Sequence, residues 1–272
     1  MTANVDGKER AKRLWGACPT GSIAGGSSEP GTREFFERAL KFRSEHEQPW
    51  LRELVPFGAM WGKRVLEIGC GPGYDALTFM QNGANYVGID IAPENIERAK
   101  KHLRFYGFDL DVRVGDAEHL HFESGIFDVV YSNGVLHHVP DIGLALAEAA
   151  RVLRPGGDLF LIVYNKNSIV FRVTTMIDAL KSRRPIASRV DHMEYNANEI
   201  TPIVNVYTKR EVIQLLEKAG LMPIATSVRK LVLEDLPAHR RFESIYRHIP
   251  QAILDAIAKL AGWYIVARAR KT

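Results

Sequence analysis

Two hydrophobic rhythms alternate along this chain. Short runs rich in apolar residues read as strands; stretches with apolar residues every third or fourth position read as helices. Val65-Leu66-Glu67-Ile68 is the first run, followed by Tyr86-Val87-Gly88-Ile89-Asp90, Asp111-Val112-Arg113-Val114-Gly115-Asp116 and Phe127-Asp128-Val129-Val130-Tyr131-Ser132. The fifth, Leu159-Phe160-Leu161-Ile162-Val163-Tyr164, is apolar throughout, as a strand buried on both faces should be. Helical segments lie between them. One follows Gly73 and ends near Gly83. Another opens at Pro93, where the missing N–H costs nothing. It buries Ile96, Ala99 and Leu103 and ends at Gly107. A third runs from Asp141 to Leu153, apolar at Ile142, Leu146, Ala149 and Leu153, and stops at Arg154-Pro155-Gly156-Gly157. Repeated strand–helix units of this length predict an α/β, doubly wound parallel sheet with helices on both faces.

The flanks depart from that rhythm. Gly21 to Gly31 is rich in Gly and Ser and reads as a mobile loop. Thr32 to Leu54 is amphipathic and helical, with Phe35, Phe36, Leu40 and Phe42 on its apolar side. With Trp15, Trp50 and Trp61 this makes residues 1–60 a helical N-terminal extension, either an added layer on the core or a lid over a ligand. Residues 165–207 are long for a connection and read as an insertion, functional or mobile, that can close as a lid. Thr208-Lys209-Arg210-Glu211 is a capping box opening a helix to Ala219. Met222 to Leu231 supplies a sixth strand, Arg241 to Ala261 a helix, and Gly262 to Arg268 the last strand. The α/β domain thus occupies residues 61–272.

Composition adds bounds. Of 272 residues, 46% are hydrophobic, ample for a packed core. The net charge of +4 does not call for a nucleic-acid partner. Two cysteines imply no disulfide framework and suit a reducing compartment. No apolar run of membrane-spanning length occurs, and the N-terminus lacks a secretory h-region. The expected location is the cytoplasm.

Chemistry concentrates where the first strand meets its helix. Gly69, Gly71 and Gly73 force a tight turn that a ligand can approach closely. Strand, glycine turn and helix N-terminus form a nucleotide-binding corner. No Gly-Lys-Ser/Thr follows, so it is not a P-loop; Gly71 to Ala76 does fit the loose dinucleotide fingerprint. Glu67, inside the strand, suits a cationic ligand better than a pyrophosphate. Asp90 ends strand two, where an acid accepts hydrogen bonds from ribose hydroxyls. Asp116 can accept from an adenine amino group while the Ala117 N–H meets a ring nitrogen; Asp116 also fits a helix N-cap.

The run Glu67-x-Gly69-x-Gly71-x-Gly73 resembles motif I of the class I S-adenosylmethionine-dependent methyltransferases. Tyr131 to Asp141, with Leu136-His137-His138-Val139, resembles that family's motif IV region, and Arg151 to Gly157 resembles its turn before strand five. Trp15 to Pro19 and Gly31 to Phe35 resemble the N-terminal extension of some bacterial small-molecule methyltransferases. The resemblance implies a Rossmann-like, seven-stranded, mostly parallel sheet with an antiparallel last strand. It implies S-adenosylmethionine as cofactor, held by Glu67, Gly69, Cys70, Gly71, Gly73, Asp90, Ile91, Asp116, Ala117, Glu118, Asn133 and Gly134.

In such an enzyme the protein aligns the acceptor with the methyl and excludes water. A hydroxyl acceptor also benefits from a base. His137 is the first candidate, as base or substrate contact or bystander; His138 reads as a structural histidine. Tyr164 ends strand five beside the same crevice and can contact the acceptor. Cys70 reads as backbone lining, and His119 and His121 as surface positions. No Cys/His cluster has zinc spacing and the strand ends lack a magnesium-type acid cluster, so no metal is expected. Ser132-Asn133-Gly134-Val135 stands where base-methylating enzymes carry Asp/Asn-Pro-Pro-aromatic. The expected partner is therefore a small, partly apolar molecule and not a nucleic acid. Oxygen is the preferred acceptor atom; carbon and nitrogen stay open. An NAD-linked oxidoreductase and a non-catalytic S-adenosylmethionine-binding protein are the competing readings. Oligomeric state is not legible.

Overall fold

A computed structural model describes residues 2–18, 28–182, 203–231 and 248–272. The alternation forms one seven-stranded sheet in the order β3-β2-β1-β4-β5-β7-β6. Its strands are β1 Arg64–Ile68, β2 Asn85–Asp90, β3 Asp111–Val114, β4 Phe127–Asn133, β5 Leu153–Tyr164, β6 Leu221–Arg229 and β7 Tyr264–Lys271. The first five pair in parallel, and β7 lies antiparallel between β5 and β6. The chain order reverses at β1, so β1 and β4 bound the crevice where such sheets take ligands.

The helices are α1 Thr2–Ala17, α2 Arg33–Phe42, α3 Leu51–Leu54, α4 Tyr74–Gln81, α5 Pro93–Arg104, α6 Ile142–Val152, α7 Ile169–Ser182, α8 Lys209–Lys218 and α9 Gln251–Ala261. Helices α4, α5 and α9 cover one face of the sheet, through residues such as Phe79, Leu103 and Leu254. Helices α6 and α8 cover the other, through Leu146 and Leu216. The Thr208 capping box forms as read, with both reciprocal bonds.

Three features differ from the sequence reading. The single helix expected from Thr32 to Leu54 breaks into α2, a π turn at Arg43–Glu47, and α3. Pro49 excludes continuous helix, because it lacks an N–H and pushes the preceding residue out of helical space. Strand β5 begins at Leu153 instead of Leu159, its pairing with β4 shifting between Phe127 and Val129 to absorb the Pro-Gly-Gly turn. The N-terminal residues also form a distinct helix, α1, with Gly7, Ala11, Leu14 and Gly16 buried. The core of the Gly/Ser-rich loop, much of the insertion and the first part of the Arg241–Ala261 stretch lie outside the described residues. Among the described residues, no helix is long and apolar enough to cross a membrane.

Candidate functional site

At the carboxyl ends of β1, β2 and β4 lies a crevice with about 1000 Å³ of unfilled space. Its floor is the glycine turn. Gly69, Gly71 and Gly73 all take positive φ, at 79°, 50° and 82°. A Cβ at Gly71 or Gly134 would meet nothing within 4 Å, so both leave room for a ligand to approach the backbone. A Cβ at Gly69 would come within 2.2 Å of Val135, so that glycine serves the packing of the loop after β4.

Of the expected site residues, Glu67, Gly69, Cys70, Gly71, Asp90, Ile91, Asp116, Ala117, Asn133, Gly134 and His138 line this crevice. Asp90 also ties the site together. Its carboxylate accepts from the backbone N–H groups of Gly71 and Ala92, each at 2.9 Å, and from Asn95 at 3.3 Å. Glu67 is buried, and Tyr86 donates to it at 2.6 Å. Burial, with the charge of Asp75 adding to it, pushes the Glu67 carboxyl well above its ordinary value. A cation in the crevice would reverse that bias.

Four expected contributors stand back from the crevice wall. Gly73 caps α4 and packs beside Leu103 and Ala99. Glu118 instead accepts from the Asp141 N–H at 2.6 Å and contacts Lys8. His137 is fully buried, its ring 3.8 Å from that of Tyr164, and Tyr164 stacks on Trp263 at 4.3 Å. The short 3-10 turn at Leu136–His138 explains the swap within the histidine pair. Neighbours on so tight a turn diverge, and His138 is the one that meets the crevice. Its Nδ1 lies 2.7 Å from the Ile203 carbonyl, which only accepts, so Nδ1 carries the proton and the lone pair sits on Nε2. Among the described residues the His137 nitrogens have no hydrogen-bond partner, and burial drives its pKa well below the ordinary value. It is a neutral ring in an aromatic wall.

Sequence reasoning missed Arg43, Asp75 and Lys8, all on the crevice with Trp15 of the extension. Arg43 Nη2 meets Asp75 Oδ2 at 2.7 Å, and that same oxygen accepts from Tyr131 at 2.8 Å and Asn133 at 3.0 Å. Asn133 donates in turn to Gln48 at 2.8 Å, linking the N-terminal extension to the end of β4. Beneath the glycine turn, His102 Nδ1 donates to the Pro72 carbonyl at 2.9 Å and its ring stacks on Phe36 at 4.4 Å. Burial lowers that imidazole to about 4, so it holds the turn as a neutral donor. The one available signal for Arg43 was its helical spacing from Phe36 and Ala39, which sets an arginine on the apolar face of an aromatic-rich helix. No group of three or more acids, histidines or cysteines able to hold a metal occurs among the described residues.

Comparison with known proteins follows the same outline. Residues 66–161 match the model of a methyltransferase domain. The chain is 37% identical over 116 residues to a ubiquinone biosynthesis O-methyltransferase of Xanthomonas axonopodis pv. citri, covering 42% of this chain and 48% of that protein. It therefore spans about half the length of the curated relatives it matches. Among solved structures, the geranyl diphosphate C-methyltransferase of Streptomyces coelicolor A3(2) superposes with a TM-score of 0.62 at 14% identity, covering 97% of this chain and 98% of that one. The cyclase SpnF superposes with a TM-score of 0.63 at 19% identity, covering 97% and 96%. At such identities the likeness speaks to fold, and these neighbours differ in reaction. The strand order and the glycine turn agree with the match over residues 66–161, so the part of the chain from β1 to β5 is similar to a methyltransferase domain.

Proposed function

We propose that this chain transfers a methyl group from S-adenosylmethionine to a hydroxyl oxygen of a small, partly apolar molecule. The carrying observation is the charge order of the crevice: the acids Glu67, Asp75, Asp90 and Asp116 with one buried cation, Arg43, among them. That order suits a sulfonium, an amino-acid tail and a nucleoside. Charging the buried Glu67 calls for a cation beside it, which a sulfonium supplies and the pyrophosphate of a nicotinamide dinucleotide does not.

When bound, S-adenosylmethionine supplies an electrophilic methyl group. The protein's part is binding, orientation and proton handling. Asp116 and the Ala117 N–H, on the crevice wall, would hold the adenine end, and Asp90 would hold the ribose. Glu67 would meet the cationic centre, and Arg43, steadied by Asp75, would hold the carboxylate of the tail. Asn133 and Gly134 shape the opening toward the acceptor. His138 lines that opening with its lone pair assigned to Nε2, where it would take the proton of a hydroxyl acceptor. His137, Tyr164 and Trp263 back it with stacked rings that keep water out. The aromatic wall, with Trp15 5.1 Å from the His138 ring, supports a partly apolar acceptor.

The test is transfer of isotope-labelled methyl into fractionated cell extract, followed by identification of the labelled product. Label in an O-methyl product is the expected result. A C- or N-methyl product would move the acceptor atom, and NADH binding without S-adenosylmethionine binding would end the reading.

A further inference from the structure

Helix α1 crosses the crevice between two walls. At one end, a Cβ on Gly7 would come within 2.4 Å of Ile203, so the backbone lies close against the segment returning beside His137. At the other, the Gly16 carbonyl accepts from Arg98 of α5 at 2.8 Å. Between these anchors Lys8, Ala11 and Trp15 face the crevice at helical spacing. The Lys8 ammonium reaches both acids at the adenine end. It lies 2.6 Å from Asp116 Oδ2 and also pairs with Glu118 Oε2. These partners lie more than a hundred residues away in sequence and belong to the segment after β3.

We propose that Lys8 is a positioning residue for the adenosine half of the cofactor, latching α1 over the crevice by bridging Asp116 and Glu118. The inference rests on the cofactor reading above. A carboxylate offers about four lone-pair sites. At Asp116 one is taken by the Glu118 N–H, at 2.9 Å to Oδ1, and another by Lys8. Those two bonds fix the plane of the carboxylate and leave sites for an incoming amino group. Without Lys8, Asp116 and Glu118 would repel each other with no shared cation, and α1 would lose its only described ion pairs to the site. Ala11 and Trp15 contribute contacts to a ligand only while α1 is docked. Any interaction that favours the docked state therefore raises ligand affinity, and ligand binding favours docking by the same factor.

The experiment uses S-adenosylhomocysteine and adenosine as probes, titrated calorimetrically into wild type, Lys8→Ala, Lys8→Arg and Arg13→Ala. Arg13 lies on the exposed side of α1 and serves as control. Lys8→Ala is expected to weaken both probes about tenfold and by similar factors, Lys8→Arg to recover most of the loss, and Arg13→Ala to match wild type. In a second arm, S-adenosylhomocysteine is expected to slow tryptic cleavage at the lysines and arginines of wild-type α1. Equal affinity of wild type and Lys8→Ala would overturn the latch while leaving the cofactor reading intact. Wild type that fails to bind S-adenosylhomocysteine would end both. If Lys8→Ala does not fold by circular dichroism, the wild-type proteolysis arm decides, and unprotected cleavage in α1 overturns the proposal.

Discussion

Arg43 and Asp75, brought together from the N-terminal extension and the first turn of α4, meet through two hydrogen bonds, Nε to Oδ1 at 3.1 Å and Nη2 to Oδ2 at 2.7 Å. Both side chains are largely buried, at 14% and 7% exposure. Burial alone would raise the Asp75 carboxyl; the Arg43 charge and its hydrogen bonds outweigh that and hold it below the ordinary value. The pair thus joins the extension to the domain with a desolvated charge on each side.

Asp75→Ala should leave Arg43 buried with its closest partner gone, at a cost of about 3–5 kcal/mol in urea unfolding. The sign with pH follows from the depressed pKa. Asp75 contributes stability at pH values above its unfolded-state pKa, and this is lost as pH falls through the folded-state value. Stability curves of wild type and Asp75→Asn should therefore lie apart at pH 7 and converge in acid below about pH 4. Curves separated by a constant gap down to pH 2 would contradict this account.

The sheet was legible because its signals are local. Val65–Ile68 and Leu159–Tyr164 declare themselves by apolar runs, and the glycines by a spacing that a short window contains. The acids at the strand ends were legible for the same reason, since strand direction dictates where each must point. Lys8, Arg43 and Gln48 were not, because each gains its meaning from a partner 32 to 108 residues away. Ordering the histidine pair needed the 3-10 turn at Leu136–His138, whose handedness and start decide which ring meets the crevice. Asn133 was legible as a strand-end residue, but its hydrogen-bond link to Asp75 was not.

Glu67 gives a prediction of opposite sign. Its folded-state pKa is raised, first by burial and then by Asp75, so the folded protein holds a proton that the unfolded chain releases near the ordinary glutamate value. The unfavourable contribution grows as pH rises from that value toward the folded one. Glu67→Gln should raise the melting temperature of the ligand-free protein by roughly 2–4 °C at pH 8, for about 1 kcal/mol, and by less at pH 5. The same variant should lose more affinity for S-adenosylmethionine than for S-adenosylhomocysteine, which lacks the sulfonium charge. Equal losses for the two, measured by calorimetry, would remove Glu67 from cation recognition.

The histidine pair separates by function. His138→Ala should lower methyl transfer by about 10²–10⁴ if it takes the acceptor proton. Its affinity for S-adenosylhomocysteine should stay within a factor of three. His137→Phe should retain turnover and stability, because it keeps an aromatic ring against Tyr164 and removes two buried nitrogens that have no partner among the described residues. Labelled-methyl assays with both variants decide the assignment; loss of turnover in His137→Phe alongside an active His138→Ala would exchange the roles.

The glycine turn offers the sharpest separation of folding from binding. Gly69 and Gly71 both take positive φ, so an alanine at either carries a backbone cost of about 1–2 kcal/mol. At Gly69 the new methyl would also press on Val135 at 2.2 Å, adding about 1–3 kcal/mol of overpacking and displacing the loop that carries Asn133 and Gly134. At Gly71 nothing lies within 4 Å, so the methyl occupies crevice space and meets only a ligand. Gly69→Ala should therefore lower the melting temperature well beyond Gly71→Ala. Gly71→Ala should keep a fold close to wild type while losing most of its affinity for S-adenosylhomocysteine. If Gly71→Ala bound that ligand as tightly as wild type, the ligand would not approach this turn, and the reading of the glycine turn as the floor of the cofactor site would have to be abandoned.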